Sequence, residues 1–145
     1  MLDFLRSEGI DEEMLARIED FRRSFPAAPE NAGRIPCPKY KYYGCEVWRE
    51  AIAAVLAGEN LLLVGPKNVL AENLAAVFQR PQWDISFYLN TDAASLIGTD
   101  TFKNGEVTLR RGSIYQCAVE GGFGVLDEIN MAKNESLSVL HATLD

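Results

Sequence analysis

Residues 121–130 read Gly-Gly-Phe-Gly-Val-Leu-Asp-Glu-Ile-Asn, and this stretch decides the fold class. Its short apolar run predicts a strand over Phe123–Asp127. Asp127 and Glu128 close the run, and the carboxyl end of a strand in an α/β sheet faces the ligand crevice. We therefore predict that Asp127 holds Mg²⁺, directly or through water, and that Glu128 is the catalytic residue that polarises an attacking water. The alternative interpretation is a buried strand that ends in a solvated acidic turn.

A second motif lies upstream, where residues 61–69 read Leu-Leu-Leu-Val-Gly-Pro-Lys-Asn-Val. The leucine-rich run predicts another buried strand, and a glycine turn before a helix is the place for a phosphate-binding loop. Such a loop surrounds nucleotide phosphates with backbone N–H groups and a lysine. The candidate ATP-binding residues are Gly65, Pro66, Lys67, Asn68 and Val69. The amide oxygen of Asn68 is also a candidate weak Mg²⁺ ligand. An ordinary strand-to-helix turn is the alternative.

The phosphate loop departs from the full pattern G-x-x-x-x-G-K-[ST]. It is short by about four residues, it lacks the second glycine, and Asn68 stands where Ser or Thr is expected. Either Lys67 is the phosphate lysine and the loop before it is lost, or the missing residues, with the true lysine, belong between Lys67 and Asn68. Gly-Pro-x is a common opening, which slightly favours the second alignment. In both alignments the loop cannot encircle a triphosphate.

Around these motifs the chain alternates strands and helices. Apolar periodicity predicts four helices, over residues 45–57, 69–78, 113–119 and 134–144. Residues 84–90 read as a strand, and Asn104-Gly105 fits a type I′ turn at the centre of a small hairpin over 101–109. Strands separated by helices predict an α/β fold with a parallel sheet and right-handed crossovers.

Together these residues resemble the AAA+ ATPases and, among them, the MoxR-like group. The similarity runs from about residue 45 to residue 145, and the stretches that carry it are residues 65–66, 71–75, 95–98 and 121–132. In this resemblance the acid-ended strand is a Walker B motif. The hairpin around Asn104-Gly105 is similar to the helix-2 insert of the group. Because this insert is rarer than the Walker motifs, it does most to narrow the resemblance from AAA+ ATPases in general to the MoxR-like group. The implied fold is a P-loop NTPase sheet with flanking helices and this hairpin insert.

The resemblance implies that the complete protein binds ATP with Mg²⁺, hydrolyses it to ADP and phosphate, and remodels or activates partner proteins. It implies a homo-oligomeric ring, commonly a hexamer, and often a partner with a von Willebrand factor A domain. An alternative from another class is a catalytically inactive AAA+-like scaffold or interaction module with a defective phosphate loop.

The family's sensor residues, arginine finger and helical lid would lie beyond Asp145, so the resemblance implies an incomplete sheet truncated after Walker B. In this fold a later strand inserts between the Walker A and Walker B strands. Without it their facing edges lack a neighbour, and unpaired edges are costly when buried and aggregation-prone when exposed. We therefore expect residues 1–145 alone to be poorly soluble or unfolded.

The predicted organisation is an N-terminal helical arm over 1–25, a proline-rich linker over 26–44 and the N-terminal part of the ATPase core over 45–145. Asp11 is the expected N-cap of the arm's main helix. Four prolines predict an extended linker. The run Lys-Tyr-Lys-Tyr-Tyr over 39–43 mixes cations and aromatic rings that can stack on bases, but on an acidic protein a segment that covers a core edge is favoured.

Charge and length exclude several other functions. The 145 residues hold 21 acidic and 14 basic side chains, and this net charge of -7 argues against nonspecific nucleic-acid or anionic-membrane binding. No apolar run approaches the roughly 20 residues of a membrane span, and no signal-peptide pattern opens the chain, so we expect a cytoplasmic location. Three cysteines without CxxC spacing predict reduced thiols rather than a zinc site.

Overall fold

The computed structural model describes residues 1–65, 67–103 and 105–144, and the backbone alone of residues 67, 103 and 141–144. The chain forms two compact units, Met1–Gln82 and Trp83–Asp145. Within the described residues, no helix has the length and apolar character that crossing a membrane requires.

The first unit is helical. Its elements are α1 (Leu2–Ser7), α2 (Glu12–Ser24), a 3-10 helix (Pro29–Arg34), α3 (Cys45–Ala57) and α4 (Lys67–Phe78). Asp11 begins α2 as predicted, because its carboxylate accepts the backbone N–H of Met14 at 2.8 Å. Gly58 ends α3 in the left-handed conformation, with φ +78°, and the bounds predicted for this helix, 45–57, are confirmed.

The N-terminal helix α2 packs on α4 within this unit. The Phe21 and Phe78 rings meet edge to face with centroids 5.0 Å apart. Arg22 Nε donates to the carbonyl oxygen of Val77 at 2.7 Å, at the C-terminal end of α4, where a cation also suits the helix dipole. Partial burial lowers the pKa of the Arg22 guanidinium. The arm is therefore joined to α4, the helix that follows the candidate phosphate loop.

The end of the linker, at Tyr40 and Tyr42, is bonded to α4 and α3. Asn73 Nδ2 donates to the carbonyl of Tyr40 at 2.8 Å, which holds the segment on α4. Trp48 Nε1 donates to the carbonyl of Tyr42 at 2.9 Å, and Trp48 is fully buried. These contacts are those of a segment that covers the edge of a core.

The prediction of an extended linker is wrong over residues 29–34, which form a 3-10 helix. Pro29 stands at the first helical position, where its missing N–H costs nothing and its fixed φ suits the turn. Proline therefore starts this helix instead of preventing it.

The predicted strand over residues 61–64 is also wrong. The structure gives these residues no regular secondary structure, and Leu62 and Val64 are 89% and 90% exposed. The four described strands pair only as β1 with β4 and β2 with β3, as defined below, so none of them is a partner for this segment. A run of apolar residues becomes a strand only when a neighbour satisfies its backbone groups.

The second unit contains the strands. They are β1 (Gln82–Ser86, whose first residue belongs to the first unit), β2 (Gly98–Lys103), β3 (Glu106–Arg111) and β4 (Phe123–Asp127). The helices are α5 (Ala93–Ile97), α6 (Ser113–Glu120) and α7 (Asn134–Leu144), with a 3-10 helix at Ile129–Met131. β1 and β4 form a parallel pair, which with the helices confirms the α/β class.

The acid-ended strand β4 packs against a hydrophobic core in the second unit. The buried members of the core are Ile85, Phe87, Leu96, Ile114 and Leu140. Leu126 of β4 packs against them. The predicted bounds of β4 and α7 are confirmed.

The first strand of the pair begins and ends earlier than predicted. It covers 82–86 instead of 84–90, and it ends early because the chain turns after Phe87. The backbone N–H of Thr91 donates to the carbonyl of Tyr88, and the Thr91 hydroxyl accepts the N–H of Tyr88, both at 2.9 Å. This local bonding takes the groups that a longer strand needs.

The hairpin of β2 and β3 is confirmed and is longer than predicted. Its antiparallel register runs from Gly98 opposite Arg111 to Lys103 opposite Glu106. Gly105 has φ +87°, as a tight turn there requires. Asn104, and with it the predicted turn type, lies outside the described residues.

Candidate functional site

The acid-ended strand β4 has the predicted bounds and is only partly buried. The last residue of β4, Asp127, is half-buried, and its carbonyl oxygen accepts the backbone N–H of Phe87 at 2.9 Å. Glu128 follows outside the strand and is exposed. The two carboxylates are adjacent in the chain and stand at the carboxyl end of a parallel strand, the end at which α/β sheets bind ligands.

Glu128 adopts a backbone conformation that the sequence does not signal. Its φ and ψ are +56° and +35°, in the left-handed region that costs a side-chain-bearing residue about 1–2 kcal/mol. The carbonyl of Glu128 then accepts the N–H of Met131 at 2.8 Å and starts the 3-10 helix over Ile129–Met131. The chain therefore turns away at once after the strand. Strain of this kind concentrates at functional sites.

The phosphate-loop region is shorter than a phosphate loop needs. Gly65 is exposed with φ +113°, and α4 already begins at Lys67. Only Gly65 and Pro66 stand between residue 64 and the helix, and proline has no N–H to donate. The structure of Pro66 and the side chain of Lys67 lie outside the described residues.

The residues present fit one oxyanion but not a triphosphate. The first turn of α4 supplies the backbone amides of Lys67, Asn68 and Val69 together with the positive end of the helix dipole. Asn68 is exposed and Val69 is half-buried. One amide before the helix, that of Gly65, is too few to wrap three phosphates.

Mg²⁺ binding does not require a larger cluster of protein ligands. The described part of the chain contains no group of three or more His, Cys, Asp or Glu side chains arranged to hold a metal ion. Mg²⁺ commonly takes one or two carboxylates and completes its shell with waters and substrate phosphates, so Asp127 fits this role. The metal role of Asn68 stays a prediction.

A shallow depression that the sequence did not indicate lies on the second unit. The residues around it include Asp84, Ser86, Ser95 and Ser113. Ser95 belongs to a capping box with Asp92 at the start of α5, and hydrogen bonds from Ser95 lower the pKa of the Asp92 carboxyl. The same residues appear in the sequence only as scattered polar positions, without a motif.

The curated relatives are similar over most of the chain. It is 34% identical over 146 residues to the Uncharacterized protein YojN of Bacillus subtilis, an alignment that covers 95% of this chain and 46% of that protein. It is 35% identical over 115 residues to an uncharacterized protein of Staphylococcus aureus, covering 73% of this chain and 44% of that protein. An uncharacterized protein of Staphylococcus saprophyticus is 36% identical over 108 residues, 68% of this chain and 41% of the relative.

The chain thus spans about half the length of the curated relatives it matches. The model of the AAA domain, dynein-related subfamily, matches residues 60–145. That range includes both the phosphate-loop region and the acid-ended strand with the hairpin between them. The chain therefore belongs to the AAA domain family, in its dynein-related subfamily.

Proposed function

We propose that this chain is part of a MoxR-like AAA+ ATPase that binds ATP with Mg²⁺, hydrolyses it and uses the energy to remodel partner proteins. The observation that carries the proposal is the acid-ended strand β4, with half-buried Asp127 and exposed, backbone-strained Glu128 at the ligand-binding end of a parallel pair. Asp127 is assigned to Mg²⁺ and Glu128 to the attacking water. Family membership supports nucleotide binding in general.

The organisation of the complete protein belongs to the same proposal. The arm at 1–25, the linker at 26–44 and the core from 45 onward serve one ATPase module, which works as a cytoplasmic homo-oligomeric ring, in the family commonly a hexamer. The hairpin of β2 and β3 is the proposed contact with partner proteins, among them a protein with a von Willebrand factor A domain. Its exposed side chains support this role.

The short phosphate loop favours a second candidate function. With only Gly65 and Pro66 between residue 64 and α4, the chain lacks the amides that a triphosphate needs, and a scaffold or interaction module with an AAA fold requires no such amides. The two candidates differ in one measurable property, which is nucleotide affinity after the loop is completed.

The first experiment restores about four residues ending in Gly-Lys between Lys67 and Asn68. We expect Mg-ATP binding, measured by calorimetry, to be at least about a hundredfold tighter than in the unaltered chain, because the loop regains its amides and lysine. No gain in affinity favours the scaffold.

The second experiment tests the role of Glu128 in a full-length version with the completed loop. Glu128→Gln should retain ATP binding and lower turnover about a hundredfold or more, because the base for water is removed. Glu50→Gln, which neutralises an exposed glutamate on α3, is the matched control and should leave turnover unchanged. Unchanged turnover in Glu128→Gln discards the assigned role.

A further inference from the structure

The hairpin of β2 and β3 has two chemically different faces. Directly opposed residues of an antiparallel pair share a face, and successive pairs alternate between faces. Phe102 lies opposite Val107, and Asp100 lies opposite Leu109, so these four residues share one face, which we name the apolar face.

The other face, which we name the threonine face, is polar and internally bonded. Thr101 lies opposite Thr108, and the Thr101 hydroxyl donates to the Thr108 carbonyl at 3.0 Å. The two hydroxyl oxygens are 3.3 Å apart. Its hydrogen bonds are therefore made within the hairpin, and the sequence alternation assigns the apolar side chains to the opposite face.

The apolar face is uncovered. Phe102, Val107 and Leu109 are 76%, 67% and 45% exposed. The described strands pair only as β1 with β4 and β2 with β3, so the outer edges of the hairpin meet no further described strand. An extended peptide can add itself to such an edge and place alternate side chains on one face of the enlarged sheet.

The charge on this face indicates the chemistry of the occupant. Arg111 shares the apolar face, but it extends to Glu120 at 3.7 Å and lies over the Tyr115 ring at 5.8 Å. Asp100 has no ion pair among the described side chains. A basic residue of the occupant would therefore complement Asp100.

The size of the face argues against a second copy of the chain. Each strand contributes only three residues to it, whereas a stable dimer needs about 20–30 residues on each side. We propose that the apolar face binds an extended segment of a partner protein in which apolar residues alternate and a basic residue lies beside Asp100. This proposal rests on the proposed function, because that function makes a partner protein the occupant of the hairpin. Binding of the segment itself requires no nucleotide.

The test measures binding of a labelled short peptide to the full 145-residue chain without nucleotide, by fluorescence anisotropy. In the probe peptide leucine and serine alternate, and lysines flank both ends; a second peptide carries glutamates instead. The double variant Phe102→Thr/Val107→Thr keeps strand propensity and removes the apolar pair. We expect it to bind the lysine peptide about tenfold more weakly or worse. Asp100→Asn should lower affinity about threefold.

The control double variant Thr101→Ala/Thr108→Ala removes the hydrogen bonds of the threonine face and should bind as the unaltered chain does. An equal loss of affinity in this control shows that hairpin integrity matters and not the apolar face, and this overturns the proposal. The proposal is equally overturned by absent peptide binding, by equal affinity for the glutamate peptide, or by a dimer that Phe102→Thr/Val107→Thr dissociates in sedimentation. If Glu128→Gln leaves turnover unchanged while the peptide binds as expected, the proposed role of Glu128 fails and the peptide-binding proposal holds.

Discussion

β4 and residues 61–64 are apolar runs of similar length, and each is followed by residues with a proposed functional role. Only β4 forms a strand. β4 pairs with β1 and packs Leu126 on the core of its unit. Residues 61–64 pair with no described strand, and Leu62 and Val64 are almost fully exposed. Hydrophobicity alone therefore does not make a strand, because the backbone also needs a neighbour whose groups it can bond.

Close packing distinguishes the two regions at their glycines. A Cβ added to Gly124 in β4 would lie 3.2 Å from Cys117 Sγ, whereas one added to Gly65 would meet nothing within 4 Å. The acid end is thus held on a packed strand, and the phosphate-loop region is open. These differences predict unequal stability and unequal hydrogen exchange in the two regions.

Amide hydrogen exchange should separate the two regions most. The Phe87 N–H, buried and bonded to Asp127 at 2.9 Å, should exchange at least about a hundredfold more slowly than the Val64 N–H, corrected for intrinsic rates. Exchange is measured by NMR or mass spectrometry at low protein concentration, since exposed apolar chain favours aggregation. The Ile52 amide in α3 should be protected and shows that the first unit is folded. Protection of Val64 would break the comparison.

The two regions also differ in how well their structure could be predicted from the sequence. The bounds of α7, the Asp11 cap and the hairpin were predictable because each depends on residues close in sequence, and the bounds of β4 because its distant partner β1 is present. The state of residues 61–64 depends on a distant partner. The strained φ of Glu128 has no residue signature, since glycine is what positive φ usually selects. The functional roles of Asp127 and Glu128 stay predictions.

Truncating one leucine in each run should give unequal losses of stability. Leu126→Ala should lower the free energy of unfolding by about 2 kcal/mol, because Leu126 packs on the core. Leu62→Ala should change it by less than about 0.5 kcal/mol, because Leu62 is exposed. Urea unfolding of a full-length version, followed by circular dichroism, measures both. Leu140→Ala, at a fully packed site, is the positive control with about 3 kcal/mol.

Equal losses for Leu62→Ala and Leu126→Ala would show that residues 61–64 are buried in solution. The urea unfolding transition of the unaltered 145-residue chain is measured in the same way. A sharp cooperative transition from a monomer would contradict the expectation that residues 1–145 alone are poorly soluble or unfolded.

The smallest effects should come from the positive φ angles of two proposed site residues, Glu128 and Gly65, and they should have opposite signs. Glu128→Gly relieves a left-handed residue that bears a side chain, and after the added flexibility of the unfolded chain it should stabilise by about 0.5 kcal/mol. Gly65→Ala forces a side chain to φ +113° and should destabilise by about 1 kcal/mol. Glu128→Gln, which keeps the strain, should leave stability unchanged, so that charge and backbone conformation are separated. Thermal unfolding of the three variants measures the signs. A destabilising Glu128→Gly would mean that the Glu128 side chain contributes to folding, and the strain could then no longer be attributed to function.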